Sequence, residues 1–214
     1  SDLSLGASDK KIYQRALSLI KELNPKQSHL DFGSGQGTFL QLLSDNVEFA
    51  KLSGIDLMGR PQDLPEKIHW EQSDLNDSLK IANEQFESVS ALEIIEHLEN
   101  PRHIFRELYR ILKPGGWLLM STPNNESFRS VLSLWARGHF VAFTDRDYPA
   151  HITPLNRLDL KRAAKEAGFN LEKFAYVDHG CLPGFTSMSW QKLSFGALKG
   201  LRFSDNFFAV FRKP

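Results

Sequence analysis

The sequence predicts a doubly wound α/β fold, a parallel sheet with helices on both faces, and three observations carry that prediction. Short apolar strands alternate with amphipathic helices through residues 9–125. The first strand runs straight into a glycine-rich turn, Gly33-Ser-Gly-Gln-Gly37, that opens a helix. An acidic residue, Asp56, ends the next strand about twenty residues on.

The elements come in this order. Ile12, Ala16, Leu19, Ile20 and Leu23 recur at helical spacing over residues 9–23, and Asn24-Pro25 stops that helix. The segment HLDF at 29–32 is a strand, and TFLQLLSD at 38–45 is the helix after the turn. KLSGIDL (51–57), IHWEQSD (68–74) and FESVSAL (86–92) read as further strands. A helix over 102–112 stops at Lys113-Pro114-Gly115-Gly116, before the strand WLLMST at 117–122. Beyond Pro123 helices are expected at 127–136 and 156–169, strands at 170–177 and 206–212, and a long loop at 137–154. An apolar, glycine-containing stretch fills 181–200. The organisation reads as one domain over 1–214: an N-terminal helix (1–27), a ligand-binding core (28–125) and an acceptor-side region (126–214).

With 41% hydrophobic and 24% charged residues, composition is that of a packed globular chain and excludes a disordered or fibrous one. No apolar run is long enough to cross a bilayer, so no integral membrane segment is expected. One cysteine, Cys181, excludes an intrachain disulfide and fits a reducing compartment, so a cytoplasmic location is expected. Acidic and basic residues balance at 26 each, yet net charge is −8 over residues 1–100 and +8 over 101–214. That polarity is either scattered solvated charge or a preference for an anionic partner near the C-terminal part.

Ligands of open α/β sheets bind beyond the carboxyl ends of the strands, where strand order reverses. Asp31, Gly33, Gly35 and Gly37 are expected at that crevice, the glycines because a close-lying ligand leaves no room for a Cβ. Asp56 is placed to accept from the two hydroxyls of an adenosine ribose. Asp74 is placed to accept from the adenine amino group, with Leu57, Met58 and Leu75 over the ring. A dinucleotide dehydrogenase is the rival, but Thr38-Phe39 after the third glycine breaks its G-x-G-x-x-G/A pattern.

The segments HLDFGSGQGTF, GIDL, QSDL, SALEIIEHL and LKPGGWLLMSTPN resemble, in order and spacing, those of class I S-adenosylmethionine-dependent methyltransferases. The resemblance covers residues 28–125 well and extends more loosely to 178. It implies a Rossmann-like, seven-stranded, mostly parallel sheet whose last strand is antiparallel, and S-adenosyl-L-methionine as cofactor. Asp31 and the Gly33–Gly37 backbone would hold its methionine part, Asp56 the ribose and Asp74 the adenine, with Leu92 beside them.

The segment after the fourth strand bears on the acceptor. Amino-nitrogen methylases carry Asn/Asp-Pro-Pro-aromatic there, and cytosine C5 methylases use a Pro-Cys nucleophile. This chain has Glu93-Ile-Ile-Glu96-His97 instead, two carboxylates and an imidazole within about one helical turn. The cluster resembles that of ubiquinone-pathway O-methyltransferases and of small-RNA 3′-terminal 2′-O-methyltransferases; in the RNA enzymes a later His completes a divalent-ion site. His151 is the candidate for that residue. Glu93, Glu96, His97 and His151 are therefore candidate ligands for Mg²⁺ or Mn²⁺, and His97 and His151 candidate catalytic residues. Capping carboxylates and a packing histidine are the alternative. Phe140, Phe143, Tyr148 and Asn124 are candidate pocket residues, whereas His29, His69, His103, His139 and His179 have no supporting constellation. The expected function is methyl transfer to a hydroxyl of a small metabolite. Methylation of an RNA 3′ end and a noncatalytic binding role are the alternatives.

Overall fold

The computed structural model describes residues 10–214, apart from the side chains of 185–187. Seven strands form one sheet: β1 (Ser28–Phe32), β2 (Lys51–Asp56), β3 (His69–Gln72), β4 (Phe86–Leu92), β5 (Leu112–Pro123), β6 (Asn170–Tyr176) and β9 (Asn206–Arg212). Their order is β3-β2-β1-β4-β5-β9-β6. β9 runs antiparallel to both of its neighbours, while the β3-β2-β1-β4-β5 pairs are parallel. The expected fold class is therefore present. Strand order reverses at β1/β4, which places the crevice at the carboxyl ends of those two strands.

Both sheet faces are covered, and β9 shows how one strand serves two cores. Phe207, Ala209 and Phe211 pack into the core under α3 (Pro101–Ile111) and α5 (Arg157–Ala167). Phe208 and Val210 pack into the core under α1 (Lys10–Leu23) and α2 (Thr38–Asn46). In α1, Ile12, Tyr13, Ala16, Leu19 and Ile20 form the buried stripe that the 3.6-residue period required. Full burial of each large apolar side chain there contributes roughly 1.5–3 kcal/mol. Asp9, the first residue of the expected helix, lies outside the described residues.

Helix ends follow local chemistry. The Asn100 side chain accepts from the His103 N–H, with Pro101 at the first helical position of α3. The α5 start is a reciprocal capping box between Asn156 and Asp159. α4 (Phe128–Arg137) starts at a Ser127 cap and ends at Gly138, which has φ +80°. Two boundaries differ from expectation. α3 stops one residue early because Leu112 pairs with Phe86, and Lys113–Gly116 then bulge before Trp117 pairs with Ser88. β3 is shorter than expected, covering 69–72 where it pairs with β2.

The stretch read only as apolar contains a hairpin, β7 (Cys181–Leu182) and β8 (Phe185–Ser189), turning at Pro183-Gly184. The short helix α6 (Trp190–Leu193) and a single 3₁₀ turn (Leu201–Phe203) come next. Asp205 and Asn206 then lead into β9. Among the described residues, no helix is long and apolar enough to cross a membrane.

Candidate active site

The crevice is built at the end of β1. The N–H groups of Gly33 and Ser34 both donate to the Ile55 carbonyl, at 2.9 and 3.2 Å, and this ties the glycine turn to β2. Gly33 has φ +79°, and a Cβ there would lie 2.5 Å from Ile94 Cγ1, so only glycine fits. Gly35 donates its N–H to Asp56 Oδ2 at 2.8 Å, while the Met58 N–H donates to Asp56 Oδ1 at 2.9 Å. The Asp56 carboxylate is thus fixed by two amides, and each oxygen keeps acceptor capacity for a further hydrogen bond. Beside it Leu57 is 62% exposed and Met58 37%, apolar surface next to a held carboxylate. Gly37, with φ +74°, is the residue before α2. Asp74 is exposed, and its Oδ1 accepts from the Asn76 N–H at 2.9 Å in a local turn. Leu75 and Leu92 are buried, one in each core.

Asp31 is held by a chain of hydrogen bonds that sequence reasoning missed. The Ser90 hydroxyl donates to Asp31 Oδ1 at 2.5 Å. With its proton so committed, Ser90 Oγ accepts from His29 Nε2–H at 2.9 Å, which leaves His29 Nδ1 to accept from the Ser88 hydroxyl at 2.7 Å. Burial pushes His29 down to about 3, so the ring is neutral and its tautomer fixed. Burial pushes Asp31 up to about 7, against the opposing hydrogen bond from Ser90. The signal was present in the alternation. His29 and Asp31 on β1 pair in register with Ser88 and Ser90 on β4, so all four lie on one sheet face.

The acidic and histidine residues gather where β4 ends. Glu93 has φ +50°, and Ile95–His97 form one 3₁₀ turn. Glu93 therefore turns toward the sheet, where Ser121 Oγ donates to Oε1 at 2.7 Å and Asn206 Nδ2 donates to Oε2 at 2.6 Å. Burial raises Glu93 to about 7. Glu96 is 1% exposed; Thr122 Oγ1 donates to its Oε2 at 3.0 Å, and its Oε1 is buried with no hydrogen-bond partner. Burial, and then the nearby Glu93 carboxylate, raise Glu96 well above the usual range.

Beside Glu96, the two histidines are each anchored through the same ring nitrogen. His97 Nδ1 lies 2.8 Å from the Ala150 carbonyl and His151 Nδ1 2.5 Å from the Ala142 carbonyl. A carbonyl only accepts, so each Nδ1 carries a proton, and in the neutral form of either ring Nε2 is the nitrogen with the lone pair. The rings are 4.7 Å apart between centroids. Burial, then the neighbouring His151, lower the pKa of His97. Ligand atoms of Glu96, His97 and His151 all lie within 4.8 Å of one another. The structure thus brings together three of the four expected ligands, with Glu93 behind them on Ser121 and Asn206. The long loop delivers His151 because Ile152 and Thr153 both donate their N–H groups to the Glu96 carbonyl at 3.0 Å.

A cavity of about 230 Å³ opens beside the cluster, lined by Glu93, Asn124, Asn125, Arg129, His151 and Asn206 among others. Asn124 is tied by its Nδ2 to the Leu201 and Ser204 carbonyls, at 2.6 and 2.7 Å. Phe143 lies against His151, 5.5 Å between ring centroids, and against Phe140 at 6.5 Å. Tyr148 is 70% exposed.

A strand-order reversal at a glycine turn, with carboxylates near the ends of β1 and β2, defines a doubly wound α/β protein with its crevice at that point. The family described as a methyltransferase domain matches residues 8–173, and this chain belongs to that family. It is an S-adenosylmethionine-dependent methyltransferase. It is 24% identical over 180 residues to a ubiquinone biosynthesis O-methyltransferase of Hydrogenovibrio crunogenus, covering 78% of this chain and 73% of that one. A ubiquinone biosynthesis O-methyltransferase of Psychrobacter arcticus is 29% identical over 154 residues, 65% of this chain and 58% of its own length. Among solved structures, an S-adenosylmethionine-dependent methyltransferase from Archaeoglobus fulgidus superposes with a TM-score of 0.68 at 20% identity, covering 98% and 96% of the two chains. That likeness is one of fold.

Proposed function

We propose that the chain transfers the methyl group of S-adenosylmethionine to a hydroxyl of a small acceptor. The observation that carries this reading is the pair of imidazoles, His97 and His151, gathered beside the buried Glu96 carboxylate. Each is anchored through Nδ1 to a backbone carbonyl, and a ligand nitrogen of each lies within 4.8 Å of a Glu96 carboxylate oxygen. The similarity to ubiquinone biosynthesis O-methyltransferases supports an oxygen acceptor.

In this reading Asp31 and the Gly33, Gly35 and Gly37 backbone hold the amino-acid part of the cofactor. Asp56 accepts from the ribose hydroxyls and Asp74 from the adenine amino group. Leu57, Met58 and Leu75 cover the ring faces, and Leu92 is a further cofactor-side residue. When bound, the cofactor supplies a methyl carbon on a cationic sulfur, whose carbon–sulfur bond breaks with its electron pair going to sulfur. The chain's task is to hold the acceptor oxygen in line and to take its proton as the carbon–oxygen bond forms. A histidine Nε2 takes that proton.

Glu96, His97 and His151 also fit a divalent cation, because one ligand atom from each lies within 4.8 Å of the others and Glu96 Oε1 has no hydrogen-bond partner among the described residues. Two imidazoles and one carboxylate suit Mn²⁺ and later transition metals better than Mg²⁺. Such an ion would supply Lewis acidity that lowers the pKa of a hydroxyl beside it.

The test is transfer of labelled methyl groups to a panel of catechols, phenols and sugars, with Mn²⁺, Mg²⁺ or a chelator present. Methyl ether products support the reading, and transfer only to nitrogen or to carboxylates overturns it. A tenfold or greater loss in chelator, reversed by Mn²⁺, supports the metal; turnover unaffected by chelation removes it.

A further inference from the structure

Outside the inner cavity lies a second groove of about 430 Å³. One wall is a single face of α4, where Arg129, Leu132, Ser133 and Ala136 recur at i, i+3, i+4 and i+7, with Arg137 ending the helix. His139, Val141 and Thr144 form the loop side, and Pro183-Gly184 at the hairpin turn close the far side. Arg129 and Val141 line both the groove and the inner cavity, so the two spaces adjoin.

The chemistry of the lining is one-sided: among the described residues it contains two guanidinium groups and an imidazole and no carboxylate. Two nearby acids are engaged, and a third, Asp145, lines the adjoining space that Arg137 and His139 also face. Asp205 accepts from Arg129 Nη1 at 3.2 Å and from the Cys181 N–H at 2.9 Å. Asp147 accepts from the Thr144 N–H and hydroxyl at 2.8 and 2.7 Å. Arg137 has no acidic partner within 4.0 Å among the described residues. Ser133 is 7% exposed and its hydroxyl is buried without any hydrogen-bond partner, although a helical serine ordinarily donates back to its own helix. A buried donor left unpaired is unfavourable, so this position favours a ligand bearing an acceptor oxygen. Leu132, Ala136, Val141 and Pro183 make the rest of the wall apolar.

We propose that this groove is the anion subsite of the methyl acceptor. The acceptor is then a small amphipathic molecule whose carboxylate or phosphate meets Arg137, Arg129 and the Ser133 hydroxyl. Its apolar body lies along α4, and its reacting hydroxyl enters the inner cavity toward His151. This rests on the hydroxyl-methylation reading for the reacting end, while the anion preference of the groove stands on its own lining.

The test uses three probes of similar shape: benzoate, phenyl phosphate and neutral benzamide. Each is titrated into the full chain by calorimetry and by amide chemical-shift mapping, with and without S-adenosylhomocysteine. At least one anion should bind about tenfold more tightly than benzamide and shift amides within 129–144. Whichever of benzoate or phenyl phosphate wins identifies the anion. Arg137→Gln, at an exposed position, should remove most of that tenfold, and Ser133→Ala about threefold, both with unchanged S-adenosylhomocysteine affinity. Equal binding of benzamide, or an unaltered anion affinity in Arg137→Gln, overturns the subsite. So does saturation of the groove by a short oligoribonucleotide and by neither small anion. Anion discrimination intact in a protein that methylates no hydroxyl would leave the subsite standing and overturn the reaction assigned above.

Discussion

The two halves of the site are made by different means. On the cofactor side, residues 28–92, the functional groups end regular strands, and their positions are set by sheet topology. Asp31 and Asp56 are each locked by named hydrogen bonds, from Ser90 and from two backbone amides. On the acceptor side, residues 93–206, the groups come from a left-handed residue, a 3₁₀ turn and a loop pinned to the Glu96 carbonyl. In the proposed reading, strand ends give the cofactor a constant frame, whereas connecting segments set what is methylated.

That division breaks most sharply at His97. His97→Ala should lower kcat about 10²–10³-fold and leave S-adenosylhomocysteine affinity within twofold, read from steady-state rates and calorimetry. A parallel loss of cofactor affinity would show that the halves are not separable.

Asp31→Asn sharpens the cofactor half and has a definite sign. The folded pKa of Asp31, about 7, lies above the ordinary 3.8, so its contribution to stability is fully present below pH 4 and is lost as pH rises toward 7. The asparagine carries no charge to bury. The variant should therefore melt about 3 °C or more above wild type at pH 8, with the difference vanishing near pH 4, in cofactor-free thermal melts. It should also bind S-adenosylhomocysteine about tenfold more weakly, since a carboxylate facing its ammonium is gone. Stabilisation without weakened binding would detach Asp31 from the cofactor.

Ser90 tests the smallest effect. Ser90→Ala should weaken S-adenosylhomocysteine about three- to tenfold and move the pH midpoint of its affinity upward, because Asp31 loses the hydrogen bond that favours its charged form. Ser90→Thr, which keeps the hydroxyl, should restore both. A uniform affinity loss in both variants with no shift in midpoint would mean a packing defect only.

How much of this was legible in the sequence varies along the same divide. Seven strand segments and Asp31, Gly33, Gly35 and Asp56 at one crevice were readable, because strand periodicity and the glycine turn are local signals, whereas the antiparallel ending was implied only by the resemblance to class I methyltransferases. The acidic cluster was readable as composition but not as geometry. Its i, i+3, i+4 spacing suggests one helical face, yet the left-handed Glu93 breaks the helix before it starts and sends that carboxylate to Ser121 and Asn206. His29 looked isolated because its partners, Ser88 and Ser90, lie 59 and 61 residues away and meet it only through strand register. The β7–β8 hairpin escaped notice because a two-residue strand carries too little periodicity to read. The anion groove needed α4, the loop and the hairpin in one place.

Most depends on Asp56, which, held by Gly35 and Met58, grips the cofactor's ribose in the proposed reading. Calorimetric titration of wild type and Asp56→Ala with S-adenosylhomocysteine tests this most directly, with melting curves to confirm that the variant is folded. A loss of about a hundredfold or more in a folded variant is the predicted result, as two hydrogen bonds to a charged acceptor disappear. Unchanged affinity, or wild-type protein that does not bind S-adenosylhomocysteine at all, would contradict it.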